Sequence, residues 1–550
     1  MTQPVADAAP VQIDHRARLE ILGAILLTMF LSALDQTVVG TALPRIVTDL
    51  KGNELYVWVV TVYLLAATVT GPIYGKLSDL FGRRPMMMIG VSLFLAGSLL
   101  CGLSQEMWQL ILFRGIQGLG AGAIFPIALA VIGDLFSPRE RGKYQGLFGG
   151  VFALSSIIGP ALGGFLTDTI SWHWVFLVNL PLGIVALVVL WRLLPPVRHP
   201  EAVRSIDYLG AAVFTAALVP LLIGLTNKQF GEWTDPQVGG LIAVGVLLSA
   251  VFVWVESRAA EPILPLELFR NRTVTGSIIA TFLITFGFFG AIIFIPRWFQ
   301  FVLGSSATES GYQMLPLMVG VIGSSIGSGL IVARTGRYKW MTVGAVATSV
   351  IGLFLLTGIR ADTPVTLVWL WMFIAGLGIG PSFAIFTTVV QSAVAPRMLG
   401  AATSSLTFFR QVGGSVGLAI AGTIFGSSFT AEVPRELASR GVPQPIIDGF
   451  SAAGTSSQAD LTNVGVDLGQ QILTSLPERA RPGVEPFIGQ IVDAIHQAFS
   501  VSIASTMWVA VFAALAAAAV VAILVPELEL RGRTSPESGR APGPPIPIAE

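Results

Sequence analysis

Asp35 and Arg114 are the two residues of this chain best placed to do chemistry. Asp35 lies within an apolar run at 19–41, and Arg114 within another at 108–133. A guanidinium in hydrocarbon costs at least ~2.5–3.5 kcal/mol on insertion scales, so Arg114 needs a partner, a watery cavity or backbone carbonyls within reach. Asp35 is the one acid well inside any such run. Desolvation disfavours a carboxylate's charged form and a neighbouring guanidinium favours it, so the balance of the two sets where a buried acid takes up its proton. Two further arginines stand in apolar surroundings: Arg410, and Arg297 directly after Pro296. Each is either a cavity cation or an interfacial anchor.

The elements that must position these residues are apolar and many. About fourteen runs of roughly 18–25 residues fill the chain, and a bilayer core of ~30 Å needs ~20 apolar residues per helix. The runs are 19–41, 56–75, 86–104, 108–133, 145–167, 174–194, 207–227, 237–256, 273–299, 311–333, 340–358, 367–391, 401–427 and 499–525. Only 12% of residues are charged and the mean hydropathy is +0.76, whereas soluble domains carry ~25% charged residues. The fold class is therefore an all-α polytopic membrane protein. Even-numbered connections collect the bases, among them Lys76, Arg83, Arg84, Arg139, Arg141, Lys143, Arg192, Arg258, Arg270, Arg272, Arg334, Arg337 and Lys339. The short odd-numbered ones hold few, such as Lys51, Lys228 and Arg360. Positive loops stay in the cytoplasm, so both termini are expected there. The single Cys101 excludes a disulfide framework, and the four scattered histidines show no metal-ligand spacing. No metal, cofactor or nucleic-acid partner is expected.

An internal echo sets the architecture. Gly75-Lys-Leu-Ser-Asp79-Leu-Phe-Gly82-Arg83-Arg84 follows the second run, and Gly329-Leu-Ile-Val-Ala333-Arg-Thr-Gly336-Arg337-Tyr-Lys339 follows the tenth, with equal spacing of glycines. If this loop closes the second helix of each half, the halves are runs one to six and nine to fourteen, with seven and eight inserted. Repeated halves mark secondary transporters, whose substrate sites lie near the midplane between them. The expected divisions are a cytoplasmic N-terminus (1–18), a first six-helix half (19–194), the inserted pair with flanking loops (195–272), a second half (273–525) and a disordered cytoplasmic tail (526–550). Segment 428–498 is expected outside the membrane, too short for a sizeable core, with a short amphipathic helix near 485–500.

Motifs then point to a family. Gly75-x-Leu-x-Asp79-x-x-Gly82-Arg83-Arg84 resembles the loop signature of the major facilitator superfamily, and Arg114-Gly-x-Gln117-Gly118-x-Gly120 resembles its helix-four motif. Gly146-x8-Ser155-x3-Gly159-Pro160-x2-Gly163-Gly164 is similar to the antiporter motif of its drug-exporting members, with Ser155 where glycine is usual. Small residues four apart also suffice for close helix packing alone. Leu34-Asp35-x-Thr37-Val38-Val39-Gly40, Trp172-His-Trp174-x-Phe176-x-x-Asn179-x-Pro181, Pro262-x-Leu264-Pro265-x-x-Leu268-Phe269 and Phe409-Arg410-Gln411-x-Gly413-Gly414 resemble the fourteen-helix drug:proton antiporter branch. Gly40 replaces the asparagine common there.

The resemblance implies two six-helix halves in the major facilitator fold plus two inserted helices. It implies proton coupling through Asp35 and Arg114, with a gating latch from Asp79, Arg83, Arg84 and Asp134. Asp79 is then expected to face the start of span thirteen near Gly400 and Ala401, where a helix dipole favours an anion. Ala333 replaces the acid in the echo, so the second half should lack an equivalent latch. Tyr63, Gln117, Asn179, Trp298 and Arg410 are candidate substrate-cavity residues. With Trp58 they suggest an amphipathic or aromatic cargo. The function implied is proton-coupled export of such compounds by alternating access, from a bacterial cytoplasmic membrane, by a monomer exchanging a small molecule for protons. Export of a native lipid, peptide or siderophore has the same physical signature. A polytopic enzyme or sensor would need a convergent nucleophile or metal set at one face, and none is present in the sequence. No phosphate-binding Gly-rich Lys-Ser/Thr loop occurs either, which argues against a built-in ATPase.

Overall fold

A computed structural model describes residues 14–51, 55–194, 207–228, 231–452, 468–475 and 481–527. The expected tail from 528 to 550 and the first thirteen residues lie outside the described residues. Among the described residues, fourteen helices are long and apolar enough to cross a membrane: α1 His15–Asp49, α2 Tyr56–Phe81, α3 Arg83–Cys101, α4 Met107–Leu135, α5 Pro138–Thr169, α6 His173–Leu193, α7 Tyr208–Asn227, α8 Pro236–Glu256, α9 Arg272–Leu303, α10 Leu315–Thr335, α11 Lys339–Leu356, α12 Val365–Ser392, α13 Leu399–Ser439 and α14 Ile488–Leu524. Among the described residues there is no strand. Hydrocarbon offers no hydrogen-bond partner to a bare peptide group, and a helix satisfies its own. With an even number of crossings, the first helix begins and the last helix ends on one face, called here the terminal face.

Sequence punctuation explains where the helices stop. Ser137 and Glu140 form a capping box at the start of α5. Gly82 turns the chain between α2 and α3 at φ 99°, and Gly336 ends α10 at φ 69°. Both are the second glycine of the repeated loop, and both occupy backbone that a side chain would strain. The inserted pair α7–α8 leans on the junction of the two halves. Phe214, Leu218 and Phe252 pack there against Val69 of α2 and Phe408 and Val412 of α13.

The segment between α13 and α14 departs from its expected form. Helix α13 runs 41 residues and α14 runs 37, which at ~1.5 Å per residue is roughly 60 Å and 55 Å, about twice a bilayer core. Beyond the membrane the two continue side by side. Phe429, Val433 and Leu437 of α13 and Ile491, Ala494, Ile495 and Ala498 of α14 are buried together with Val442, Ile447, Leu468, Ile472 and Val484. This apolar core is continuous with Phe294, Trp298 and Phe299 of α9. The Gly, Ser, Pro and Gln content of 428–498 hid it, because its apolar residues are too widely spaced to stand out by composition.

Helix contacts inside the second half rest on glycine. A Cβ on Gly378 of α12 would overlap the backbone of Ser349 on α11, whereas one on Gly344 would meet nothing within 4 Å. Gly378→Ala is expected to cost about 1–3 kcal/mol through overpacking and to lower the melting temperature in detergent. Gly344→Ala should leave it unchanged, and equal melting of the two variants would overturn this account of the packing.

Candidate functional site

Helices α1 and α4 bring Asp35 and Arg114 into direct contact. Arg114 Nη1 donates to Asp35 Oδ2 at 2.5 Å, and both side chains are 1% exposed. Asp35 Oδ1 accepts from Gln117 Nε2 at 2.8 Å and from Asn179 Nδ2 at 3.2 Å. Gln117 follows Arg114 by three positions, so one face of α4 presents both groups to α1. Arg114 Nη1 also donates to Gln117 Oε1 at 2.7 Å, and Nε to the Val59 carbonyl at 3.1 Å. The guanidinium carbon lies 4.1 Å from the Tyr63 ring centre, and the Tyr63 hydroxyl meets Ser32 Oγ at 3.1 Å. Ser98 Oγ closes the network, accepting from Asn179 at 3.0 Å and from Gln117 at 3.2 Å. A buried charge pair is tolerated where further hydrogen bonds support it, and here Gln117, Asn179 and the Val59 carbonyl supply them, while Asn179 Oδ1 is itself buried without a partner.

Gln117, Tyr63 and Asn179 are therefore not open cavity walls. All three are buried to within 1% and engaged around Asp35. Trp298 also departs from the cavity reading: it is fully buried, and its Nε1 donates to Ser500 Oγ of α14 at 2.9 Å. Arg410 sits with its guanidinium carbon 4.6 Å from the Phe383 ring centre, and Arg297 is exposed at the far end of α9. Ser98 and Ser32 escaped sequence reasoning, since a serine in an apolar helix carries no signal until its neighbours are known.

At the terminal face a second cluster joins the halves. Arg83 Nη1 lies 2.5 Å from Asp79 Oδ1, and Arg83 Nε donates to Asp134 Oδ2 at 2.9 Å. Asp79 accepts from the backbone N–H groups of Gly400 and Ala401 at 2.9 and 2.8 Å, in the first turn of α13. An anion there meets unsatisfied donors and the positive end of the helix dipole. Arg84 is not part of the cluster, and lies 6.0 Å from the Trp191 ring centre. An amide clasp not foreseen from sequence lies alongside. Gln145 of α5 donates to Gln391 of α12 at 2.9 Å, Thr388 donates to Gln145 at 2.7 Å, and Gln391 donates to the Leu129 carbonyl of α4 at 2.9 Å.

The first glycines of the repeated loops mark the two crossings between halves. A Cβ on Gly75 of α2 would overlap Ser404 of α13 and stand 2.8 Å from the Gly400 carbonyl. A Cβ on Gly329 of α10 would overlap the Gly142 carbonyl of α5. The α5 motif splits between partners. Gly146 abuts Ile326 of α10, while Gly159 and Gly163 receive Thr37, Val38 and Thr41 of α1. Thr37 Oγ1 donates to the Ser155 carbonyl at 2.9 Å, and the Ser155 hydroxyl bonds back to Val151 at 2.8 Å, so a serine fits there. A Cβ on Gly311 would come within 4.0 Å of Pro160, and one on Gly164 would meet nothing within 4 Å.

The model of the Major Facilitator Superfamily matches residues 25–418. The chain belongs to that superfamily and is a transporter. It is 38% identical over 491 residues to multidrug transporter protein MdtP of Bacillus subtilis, covering 87% of this chain and 89% of that one. It is 40% identical over 414 residues to multidrug resistance protein 3 of the same organism, covering 74% and 80%. The solved structure of the proton:xylose symporter XylE, an MFS protein, aligns with a TM-score of 0.59 at 15% identity, covering 94% of this chain and 98% of that one. That last likeness is one of fold.

Two outcomes follow from the geometry. Arg114→Ala leaves Asp35 buried without its counter-charge and is expected to destabilise the folded protein by about 3–5 kcal/mol. Arg114→Lys should recover part of this, lacking the planar fork. Thermal unfolding at neutral pH measures both, and a wild-type melting point for Arg114→Ala would remove the pair from the fold's energetics. Asp79→Asn keeps one acceptor for α13 but loses the charge. A loss of ~1.4 kcal/mol changes a two-state ratio tenfold. Thiol labelling of Ser404→Cys in a Cys101→Ser background, where Ser404 is 1% exposed at the crossing, should then accelerate about tenfold. An unchanged rate would reduce the loop to a positively charged topology signal.

Proposed function

We propose that this transporter is a proton-coupled exporter of amphipathic or aromatic compounds that works by alternating access. The observation that carries the reading is the sealed Asp35–Arg114–Gln117–Asn179 network in the first half, standing apart from the Asp79–Arg83–Asp134 cluster that ties the halves together. The first is a proton site, since Asp35 is a buried acid whose bonding to Arg114 changes when it takes up a proton. The second is a latch that holds one of two arrangements of the halves. Protonation of Asp35 weakens its attraction to Arg114 and biases the rocking of one half on the other. The relatives named as multidrug transporters support export as the direction and small molecules as the cargo.

On this reading the terminal face is cytoplasmic, in keeping with the basic residues that gather there. The latched face is then the inner gate, and the extended α13–α14 core projects outward from a bacterial plasma membrane. Each elementary charge moved across 100 mV contributes ~2.3 kcal/mol, in addition to any pH difference, which sustains a gradient of tens-fold without ATP.

Asp35→Asn keeps the shape of the side chain and removes its proton chemistry. It is expected to insert and fold, and to lose proton-driven export in inverted membrane vesicles with an imposed pH gradient. Asp35→Glu should keep part of the activity. Pumping by Asp35→Asn at close to the wild-type rate would sink this assignment.

A further inference from the structure

The charges inside the membrane do not balance. Asp35 and Arg114 neutralise each other, and the carboxylate is also bonded to Gln117 and Asn179. Arg410 has no such partner. It lies eleven positions beyond Leu399, so it sits about 16 Å along α13, near the middle of a ~30 Å core. Among the described residues it makes no ion pair, and its Nη2 is buried with no hydrogen-bond partner. Thr403 and Leu406, seven and four positions before it, share its stripe of α13. Both are buried, and Thr403 accepts from Gln391 of α12 at 3.3 Å. The stripe therefore faces the interior of the bundle rather than lipid.

The surroundings of Arg410 are aromatic. Phe383 of α12 carries the guanidinium on its face and meets Phe288 of α9 edge-on at 5.4 Å. Arg410, Phe383 and Phe288 are each partly exposed, unlike the sealed residues around Asp35. A weakly hydrated cation with an unused donor, backed by rings from two other helices, suits an oxyanion on an apolar body. A cationic compound, by contrast, finds no free carboxylate at this depth among the described residues, because Asp35 is already committed.

We propose that Arg410, with Phe383 and Phe288, forms a recognition site for organic anions, namely carboxylates or sulfonates carried on an aromatic or aliphatic body. The site deepens the export reading by naming a substrate class, and rests on that reading for the direction of movement but not for binding.

The test uses purified full-length protein and two probes matched in shape and opposite in charge, 1-naphthalenesulfonate and 1-naphthylmethylammonium, titrated by calorimetry. Wild type is expected to bind the sulfonate at least about tenfold more tightly than the ammonium. Arg410→Gln should weaken sulfonate binding by about tenfold or more and leave the ammonium unchanged, while Arg410→Lys, keeping charge without the fork, should fall between. Equal affinity for the two probes in wild type, no sulfonate binding, or an equal loss for both probes in Arg410→Gln would each overturn the site. If Arg410→Gln does not fold, the wild-type preference and the Arg410→Lys titration still decide. Vesicle export is read separately, so a protein that binds the sulfonate yet moves no substrate keeps this site and loses the export reading.

Discussion

A bilayer interior has no water to offer a carboxylate or a guanidinium, and that constraint orders the first half of this transporter. Asp35 cannot stand alone in hydrocarbon, and neither can Arg114. Their contact draws α1 to α4, and the hydrogen bonds left over bring in Gln117 from α4, Ser98 from α3 and Asn179 from α6. Tyr63 covers the guanidinium from α2. Five of the six helices of that half are thus tied to one charge pair.

The seam between the halves obeys a different rule. Helices in lipid gain little from hydrophobic contact, so they associate where backbones come close and polar groups find partners. Gly75 and Gly329 provide the close approach at the two crossings, one against α13 and one against α5. The repeated loop is therefore a mechanical unit used twice: its first glycine sets a crossing and its second turns the chain. What differs is the lock. Asp79 caps α13 in the first copy, whereas Ala333 leaves the second crossing to packing and to the nearby Gln145–Gln391 clasp.

Among the described residues, the second half holds no buried acid comparable to Asp35. Its core is aromatic and continues along the extended ends of α13 and α14, where Phe429, Phe499 and Ile491 are buried together. The extension makes those two helices about twice as long as a bilayer core is thick. The charge that remains in this half, Arg410, stands among rings rather than carboxylates. The division of labour is electrostatic: a neutral, sealed pair on one side and an unpaired cation on the other.

Much was legible in the residues themselves. Fourteen crossings followed from run length, and Asp35 and Arg114 announced themselves because charge in an apolar run is costly. The echo of Gly75–Arg84 in Gly329–Lys339 gave the halves, because a chain-local pattern needs no knowledge of distant partners. The facing of Asp79 toward Gly400 and Ala401 came from family resemblance, and the hydrogen bonds lie there. Burial and partnership were decided by tertiary structure alone. Gln117, Asn179 and Trp298 are polar or amphipathic residues near midplane, and sequence cannot tell a cavity wall from a sealed network, since both place the same side chains at the same depth. Arg84 stands beside Arg83 in the chain yet points to Trp191, because neighbours on a helix face different ways. The outer core of α13 and α14 joins residues some sixty positions apart, a contact that only the folded chain can make.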